Sequence, residues 1–199
     1  MKKPKILAFG HKSRTGKDTA TRLLIDFINK TCPAVSVERR AFADKVKEIS
    51  YQLYRYAGMK PAAHYDLHAE DRAVILPLLG MDPVEVWVGV GNKIRDIYQD
   101  TWIDIALLDC DAELIIVSDL RYPNEADRIR RLGGFCVKIE RDDAAIRDTV
   151  ADNALNDYQD WDLVLENNST QEALQEQLIS LIEKLGWLSE VRDDAIAPM

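Results

Sequence analysis

Cysteine and histidine are scarce in this chain, three of each in 199 residues, and their scarcity narrows the chemistry first. Cys32, Cys110 and Cys136 are odd in number and widely spaced, which suggests neither a disulfide framework nor a C-x-x-C metal motif. Cys110 and Cys136 read as small core residues. His64 and His68 stand at i, i+4 spacing, but no third ligand accompanies them, so a solvated helix face is the simpler reading. No stretch approaches the roughly 20 apolar residues of a membrane span. The N-terminal MKKPKILAFG is basic and then apolar, yet its apolar run of about four residues is too short for a secretory leader, which needs ~7–15. A reducing cytoplasm is therefore the expected setting. A basic excess is also missing: 34 acidic residues oppose 26 basic ones, a net charge of −8. Neutralising a nucleic-acid backbone or an anionic membrane takes a positive surface, so neither partner is expected. Internal repeats and low-complexity segments are absent. A composition 47% hydrophobic and 30% charged suits one folded domain with a substantial core.

Against these absences stands one dense feature, ILAFGHKSRTGKDTAT at residues 6–21. Ile6 to Phe9 read as a buried strand, Gly10 to Gly16 as a turn, and Asp18 to Asn29 as a helix with Leu23, Leu24, Phe27 and Ile28 on its apolar face. A strand feeding a Gly/Lys/Thr turn that opens a helix is the layout of a nucleotide phosphate-binding loop. Inward-pointing backbone N–H groups and the positive end of the helix dipole receive the anion, and Lys17 supplies a point charge for the terminal phosphates. The common pattern is G-x4-G-K-[ST], whereas five residues separate Gly10 from Gly16 here, and Asp18 follows the lysine. Either the loop carries one extra residue, or His11 occupies the place of the first glycine. Thr19 is then the natural hydroxyl for Mg²⁺ or an inner phosphate, with Asp18 holding the metal through water.

Downstream, Val35 to Arg39 form a short strand candidate and Phe42 to Tyr56 a helix with Val46, Ile49, Leu53 and Tyr54 on one side. Gly58, Pro61, Pro77, Gly80 and Pro83 punctuate residues 58–82, which read as irregular or short-helix structure. Val84 to Val90 are ambiguous between strand and helix, and Ile94 to Asp109 read as a helix with Ile97, Trp102, Ile105, Ala106 and Leu108 apolar. Leu114 to Val117 is a continuous apolar run, as in a parallel strand buried on both faces. Glu125 to Leu132 is a helix stopped by Gly133 and Gly134. Phe135 to Ile139 and Asp162 to Leu165 are further strands, and Ser169 or Thr170 caps a last helix on Leu174, Leu178, Leu181, Ile182 and Leu185. Alternating strands and helices imply an α/β fold with a parallel sheet and ligands at the carboxyl ends of its strands.

A second cluster lies at those ends. Asp119 stands just past the buried strand, where a carboxylate holds a metal's water shell, orients an acceptor or merely caps a loop. Arg121 follows two places on and points toward the same crevice. Arg128, Arg130 and Arg131 read as surface residues.

The loop GHKSRTGKDT, the segment FADKVKE (42–48), SDLRYPNEA (118–126) and the ending DWDLVLENNST together resemble the deoxynucleoside monophosphate kinases of bacteriophages. A more distant likeness is to animal-type phosphomevalonate kinases, through the GKD loop and the strand ending in Ser-Asp-x-Arg. The resemblance runs over roughly residues 5–186. It implies a three-layer P-loop NTPase fold of the nucleoside-monophosphate-kinase type, with a helical acceptor-binding insertion and a lid. ATP and Mg²⁺ would act as donor, and a deoxynucleoside monophosphate as acceptor.

The division implied is one kinase domain over 1–188, with an irregular acceptor-binding insertion at 57–92, a lid-like segment at 141–156 and a loose tail at 189–199. By position, Gly10, Ser13, Arg14, Thr15, Gly16, Lys17, Asp18 and Thr19 match the ATP loop, with Thr19 and Asp18 toward the metal. Lys17, Asp119, Arg121 and Arg141 are the implied catalytic set, Arg147 being the alternative lid arginine. Asp44, Lys47, Arg72, Arg95, Asp100 and Trp102 fall to the acceptor, although Lys47 also fits a surface helix and Trp102 a core position. One departure stands out: where the family often has His-x-Ser/Thr-Glu, this chain has Thr149-Val150-Ala151-Asp152, with Asp152 alone chemically similar. Two other readings stay open, a kinase of another phosphorylated metabolite (phosphomevalonate or dephospho-coenzyme A type) and a non-catalytic ATP-binding regulatory protein. So does the oligomeric state, a homodimer included. If the chain is phage-encoded, the cytoplasm is that of a bacterial host.

Overall fold

The computed structural model describes residues 4–108, 110–144 and 150–187. In chain order the elements are β1 (Lys5–Gly10), α1 (Lys17–Thr31), β2 (Val37–Arg40), α2 (Phe42–Tyr54), α3 (Ala62–Leu67), α4 (Pro83–Ile97), α5 (Thr101–Leu107), β3 (Leu114–Leu120), α6 (Pro123–Arg131), β4 (Phe135–Glu140), α7 (Val150–Asn153), β5 (Leu163–Glu166) and α8 (Gln171–Lys184). Short 3₁₀ turns cover Arg55–Ala57 and Ala69–Ala73. Arg147 and the tail from 189 lie outside the described residues, as does 145–149 of the lid-like segment.

The chain divides into two compact units, one of them Ala41–Leu108 and the other built from the residues on either side. The flanking unit is the α/β body. Its five strands run parallel in the order β2-β3-β1-β4-β5, which puts β1, the strand leading into the glycine loop, at the centre. Alternation along the strands sends Leu7 and Phe9 to one face with Leu114, Ile116, Val137 and Ile139. There they pack with Leu24 and Ile28 of α1 and Leu174, Leu178 and Ile182 of α8. On the opposite face Ile129 of α6 meets Ile6 beside Gly134, and the Cys136 thiol donates to the Ala126 carbonyl. Helix, sheet, helix is the three-layer P-loop architecture expected. The apolar runs Ile6–Phe9 of β1 and Leu114–Val117 of β3 follow from being covered on both sides.

Register then does the positioning. Gly10 of β1 pairs opposite Leu120 of β3 and Lys138 of β4, so the strands' carboxyl ends converge at the loop.

The helical unit carries its own small core of Met59, Leu76 and Val86. The ambiguity at 84–90 resolves as helix: Asp82 and Glu85 form a capping box around Pro83 at the start of α4. Two expectations are corrected here. The helix read over 94–109 is broken, because Tyr98 is extended (φ −149°, ψ 115°) between α4 and α5. The break lets Trp102, Ile103 and Ala106 bury while Ile97 stays 85% exposed and Leu108 exposed. On α2, Leu53 is exposed rather than part of the apolar side. The stretch 57–92 holds the short helix α3 and most of α4. Among the described residues no helix is long and apolar enough to cross a membrane.

Candidate active site

The loop from His11 to Gly16 turns through three left-handed backbones: His11 (φ +92°), Arg14 (φ +59°) and Gly16 (φ +103°). Successive reversals of this kind curl backbone N–H groups toward a common centre, the concavity that receives anions. His11 carries the left-handed conformation that glycine adopts without strain, as the reading with His11 in the place of the first glycine expects. Gly10 is the last residue of β1 and is small for another reason. A Cβ there would stand 2.6 Å from the Trp161 ring and 3.0 Å from Leu120.

Gly16 opens α1, its carbonyl accepting the Ala20 N–H at 2.8 Å. Lys17 follows at 5% exposure, its ammonium donating to the Lys12 carbonyl and, at 3.5 Å, to the Thr15 hydroxyl. Burial, and after it the Arg121 charge, lower the Lys17 pKa to about 8, while the carboxylates of Asp18, Asp152 and Asp119 act in the opposite sense. A buried ammonium crowded by a second cation is an environment an added anion would relieve. Asp18 is exposed and Thr19 half-buried in the first turn, and Arg14 is exposed at the loop's tip.

Arg121 extends from the end of β3. Its backbone N–H donates to Glu125 Oε2 at 2.9 Å, and the same oxygen accepts the Tyr122 N–H at 3.1 Å, so a buried glutamate sets the exit of the strand. Asp152 of α7 accepts from Arg121 Nη1, from the Ser13 N–H at 2.7 Å and from the Ser13 hydroxyl at 2.9 Å. Asn167, after β5, donates from Nδ2 to the Thr15 carbonyl at 2.9 Å and is itself tied by its backbone N–H to the Glu140 carbonyl. Among the described residues the buried Ser118 hydroxyl, one place before Asp119, and His11 Nδ1 have no hydrogen-bond partner. The His11 pKa falls to about 4, first through burial and then through Lys138.

The structure thus brings together Ser13, Thr15, Gly16, Lys17, Asp119 and Arg121 from the residues read in the sequence. It adds Asp152 and Asn167, which that reading left without a role; both lie far along the chain from the loop they hold, and no local pattern marks such contacts. Arg141, following Glu140 at the end of β4, is exposed and pairs with Asp143 at 2.6 Å.

The residues read for the acceptor all belong to the helical unit. There Lys47 lies 5.6 Å from the Trp87 ring centroid, and Arg72 bonds the Tyr65 carbonyl and Asp66. Asp44 is exposed on α2, Arg95 is half-buried on α4, and Asp100 precedes α5. Trp102 is core rather than pocket lining, 1% exposed with its indole N–H donating to the Gly91 carbonyl at 3.0 Å. His64 and His68 pair with Asp71 and Glu70. Among the described residues no three His, Cys, Asp or Glu side chains form a metal cluster.

No protein-family model matches the chain. An Acanthamoeba polyphaga mimivirus protein described as "Putative deoxynucleotide monophosphate kinase" is 27% identical over 195 residues, covering 88% of this chain and 94% of that protein. Among solved structures, TT1252 from Thermus thermophilus aligns over 92% of this chain and 99% of its own at 15% identity and a TM-score of 0.49. APE1195 aligns over 93% and 98% at 13% identity and a TM-score of 0.48. A sugar kinase from Janibacter sp. aligns over 90% and 95% at 12% identity and a TM-score of 0.44.

Proposed function

We propose that this protein is an ATP-dependent kinase that phosphorylates a deoxynucleoside monophosphate, giving the diphosphate and ADP. The observation that carries the reading is the pairing of buried Lys17 with Arg121 at a loop whose backbone is curled for an anion. A loop that merely bound nucleotide would need the lysine and a metal-side residue; a second cation at the end of β3 suits a terminal phosphate whose charge redistributes during transfer. The deoxynucleotide acceptor is supported by the name of the mimiviral relative and by the segments that resemble the phage kinases.

ATP would lie with its phosphates in the His11–Thr19 loop, and Mg²⁺ beside Thr19 and Asp119, with Asp18 reaching it through water. Bound there, MgATP supplies an electrophilic phosphorus and a leaving group already partly neutralised. Lys17 and Arg121 counter charge on the transferring group. The curled loop fixes the phosphate so that an acceptor oxygen approaches in line, and Thr19 orients the metal side. A phosphate acceptor is already ionised at neutral pH, so none of these side chains has to remove a proton from it. On the same reading Lys47 and Arg95 are the candidate cations for the acceptor's phosphate.

The test is ADP formation from MgATP with each of the four deoxynucleoside monophosphates, their ribose counterparts and a control without acceptor. Turnover that depends on a deoxynucleotide is the expected result. Turnover with ribose forms alone would move the acceptor, and ADP release indifferent to acceptor would overturn the kinase.

A further inference from the structure

Asp152 lies 139 residues along the chain from Ser13, yet its carboxylate, with the residue 3% exposed, joins two segments of the phosphate loop's surroundings. Oδ1 accepts the Ser13 backbone N–H and Arg121 Nη1, and Oδ2 accepts the Ser13 hydroxyl. We propose that Asp152 is a positioning residue for phosphoryl transfer, holding the Arg121 guanidinium and the Ser13 turn of the loop in the arrangement the terminal phosphate meets. This rests on the kinase reading above.

A carboxylate removed from water needs several donors to stay charged, and Asp152 finds three on two elements whose relative placement matters to a phosphate. Its charge also serves the cations. Arg121 lies near enough to Lys17 to depress its protonation, and Asp152 is among the carboxylates that offset this repulsion. Arg121 is constrained at both ends, its N–H by Glu125 and its guanidinium by Asp152. A guanidinium has five N–H donors in a rigid fork, so a carboxylate on Nη1 orients the whole plane. The Ser13 contacts apply the same constraint to the loop backbone just before Arg14 (φ +59°).

The experiment compares Asp152→Ala, Asp152→Asn, Arg121→Ala and the double variant with the wild type. It uses fluorescent-ATP binding, steady-state kinetics with the acceptor found above, and thermal unfolding without ligand. We expect Asp152→Ala to lower kcat about 100-fold, the scale of losing an oriented charge-stabilising donor, with the ATP KM changed only a few fold. Asp152→Asn keeps the shape and an acceptor oxygen for Ser13 N–H and Arg121, and should recover most of that loss. In the Arg121→Ala background Asp152→Ala should cost little more, and the unfolding shifts should likewise be non-additive. Unchanged kcat in Asp152→Ala, or additive effects, would overturn the proposal. Tighter ATP binding by Asp152→Ala would also overturn it, making the carboxylate a competitor for the phosphate site. Should Asp152→Ala not fold, Asp152→Ser, whose hydroxyl is too short to bridge Ser13 and Arg121, measured against Arg121→Ala carries the same comparison. A wild type that neither binds ATP nor turns over would defeat the kinase reading instead, and the unfolding cycle would still report whether Asp152 and Arg121 are coupled.

Discussion

The Nδ2 of Asn167 donates to the carbonyl of Thr15 at 2.9 Å, and a Cβ placed on the neighbouring Gly16 would stand 2.2 Å from that same nitrogen. Gly16 is thus constrained twice, by its φ of +103° and by a side chain arriving from the end of β5. Gly16→Ala should destabilise the protein by about 1–3 kcal/mol through backbone strain and displace Asn167 besides. If the clash with Asn167 dominates, Asn167→Ala in the same chain will restore part of the loss; urea unfolding of the two single variants and the pair measures it.

Removing the Lys17 amine should separate activity from stability. We expect Lys17→Met to lower turnover by at least about 100-fold, as for loss of a preorganised charge-stabilising group. The folded state should lose little, because burial and Arg121, which disfavour the ammonium, outweigh the favourable carboxylates of Asp18, Asp152 and Asp119. Acceptor-dependent ADP formation alongside a circular-dichroism melt distinguishes this from simple unfolding.

The depressed Lys17 pKa has a definite sign. Between pH 8 and the ordinary lysine value of 10.5 the unfolded chain holds a proton that the empty folded protein has released, so stability rises with pH across that window. ATP affinity should run the other way, weakening from pH 7 to 9 as the ammonium is lost. Lys17→Arg, which keeps its charge throughout, should flatten that dependence; titration calorimetry at several pH values reads both slopes.

His11 works on the acid side. Its pKa of about 4 means that between 6.5 and 4 the unfolded chain takes up a proton the folded chain refuses, so stability falls as pH falls through this range. His11→Gly should abolish that contribution and relieve the positive φ, so its melting temperature should gain on the wild type as pH drops from 7 to 5. Equal shifts at both pH values would count against a buried neutral imidazole.

Within the helical unit, Trp102→Phe should cost about 1–3 kcal/mol by leaving the Gly91 carbonyl without its buried donor, and Trp102→Ala more through the cavity. Denaturant unfolding of the two variants tests the core role assigned to this tryptophan.

The central strands were legible because they are covered on both faces, which writes them as continuous apolar runs such as LIIV at 114–117. The phosphate loop was legible for a similar reason: its glycine, lysine and helix start are consecutive, so their geometry is local. The break at Tyr98 was not, since neither glycine nor proline marks it and the burial of Trp102 and Ile103 selects it.

The amino-acid order alone determined the alternation of strands and helices, the anion-binding turn and the lysine within it, since each depends on neighbours a few residues apart. What holds Arg121 and what props Gly16 were decided by the parallel register that gathers strand ends from distant parts of the chain. Asp152 and Asn167 reach the loop across 139 and 152 positions, and contacts of that span are set by packing of the whole sheet rather than by any local pattern.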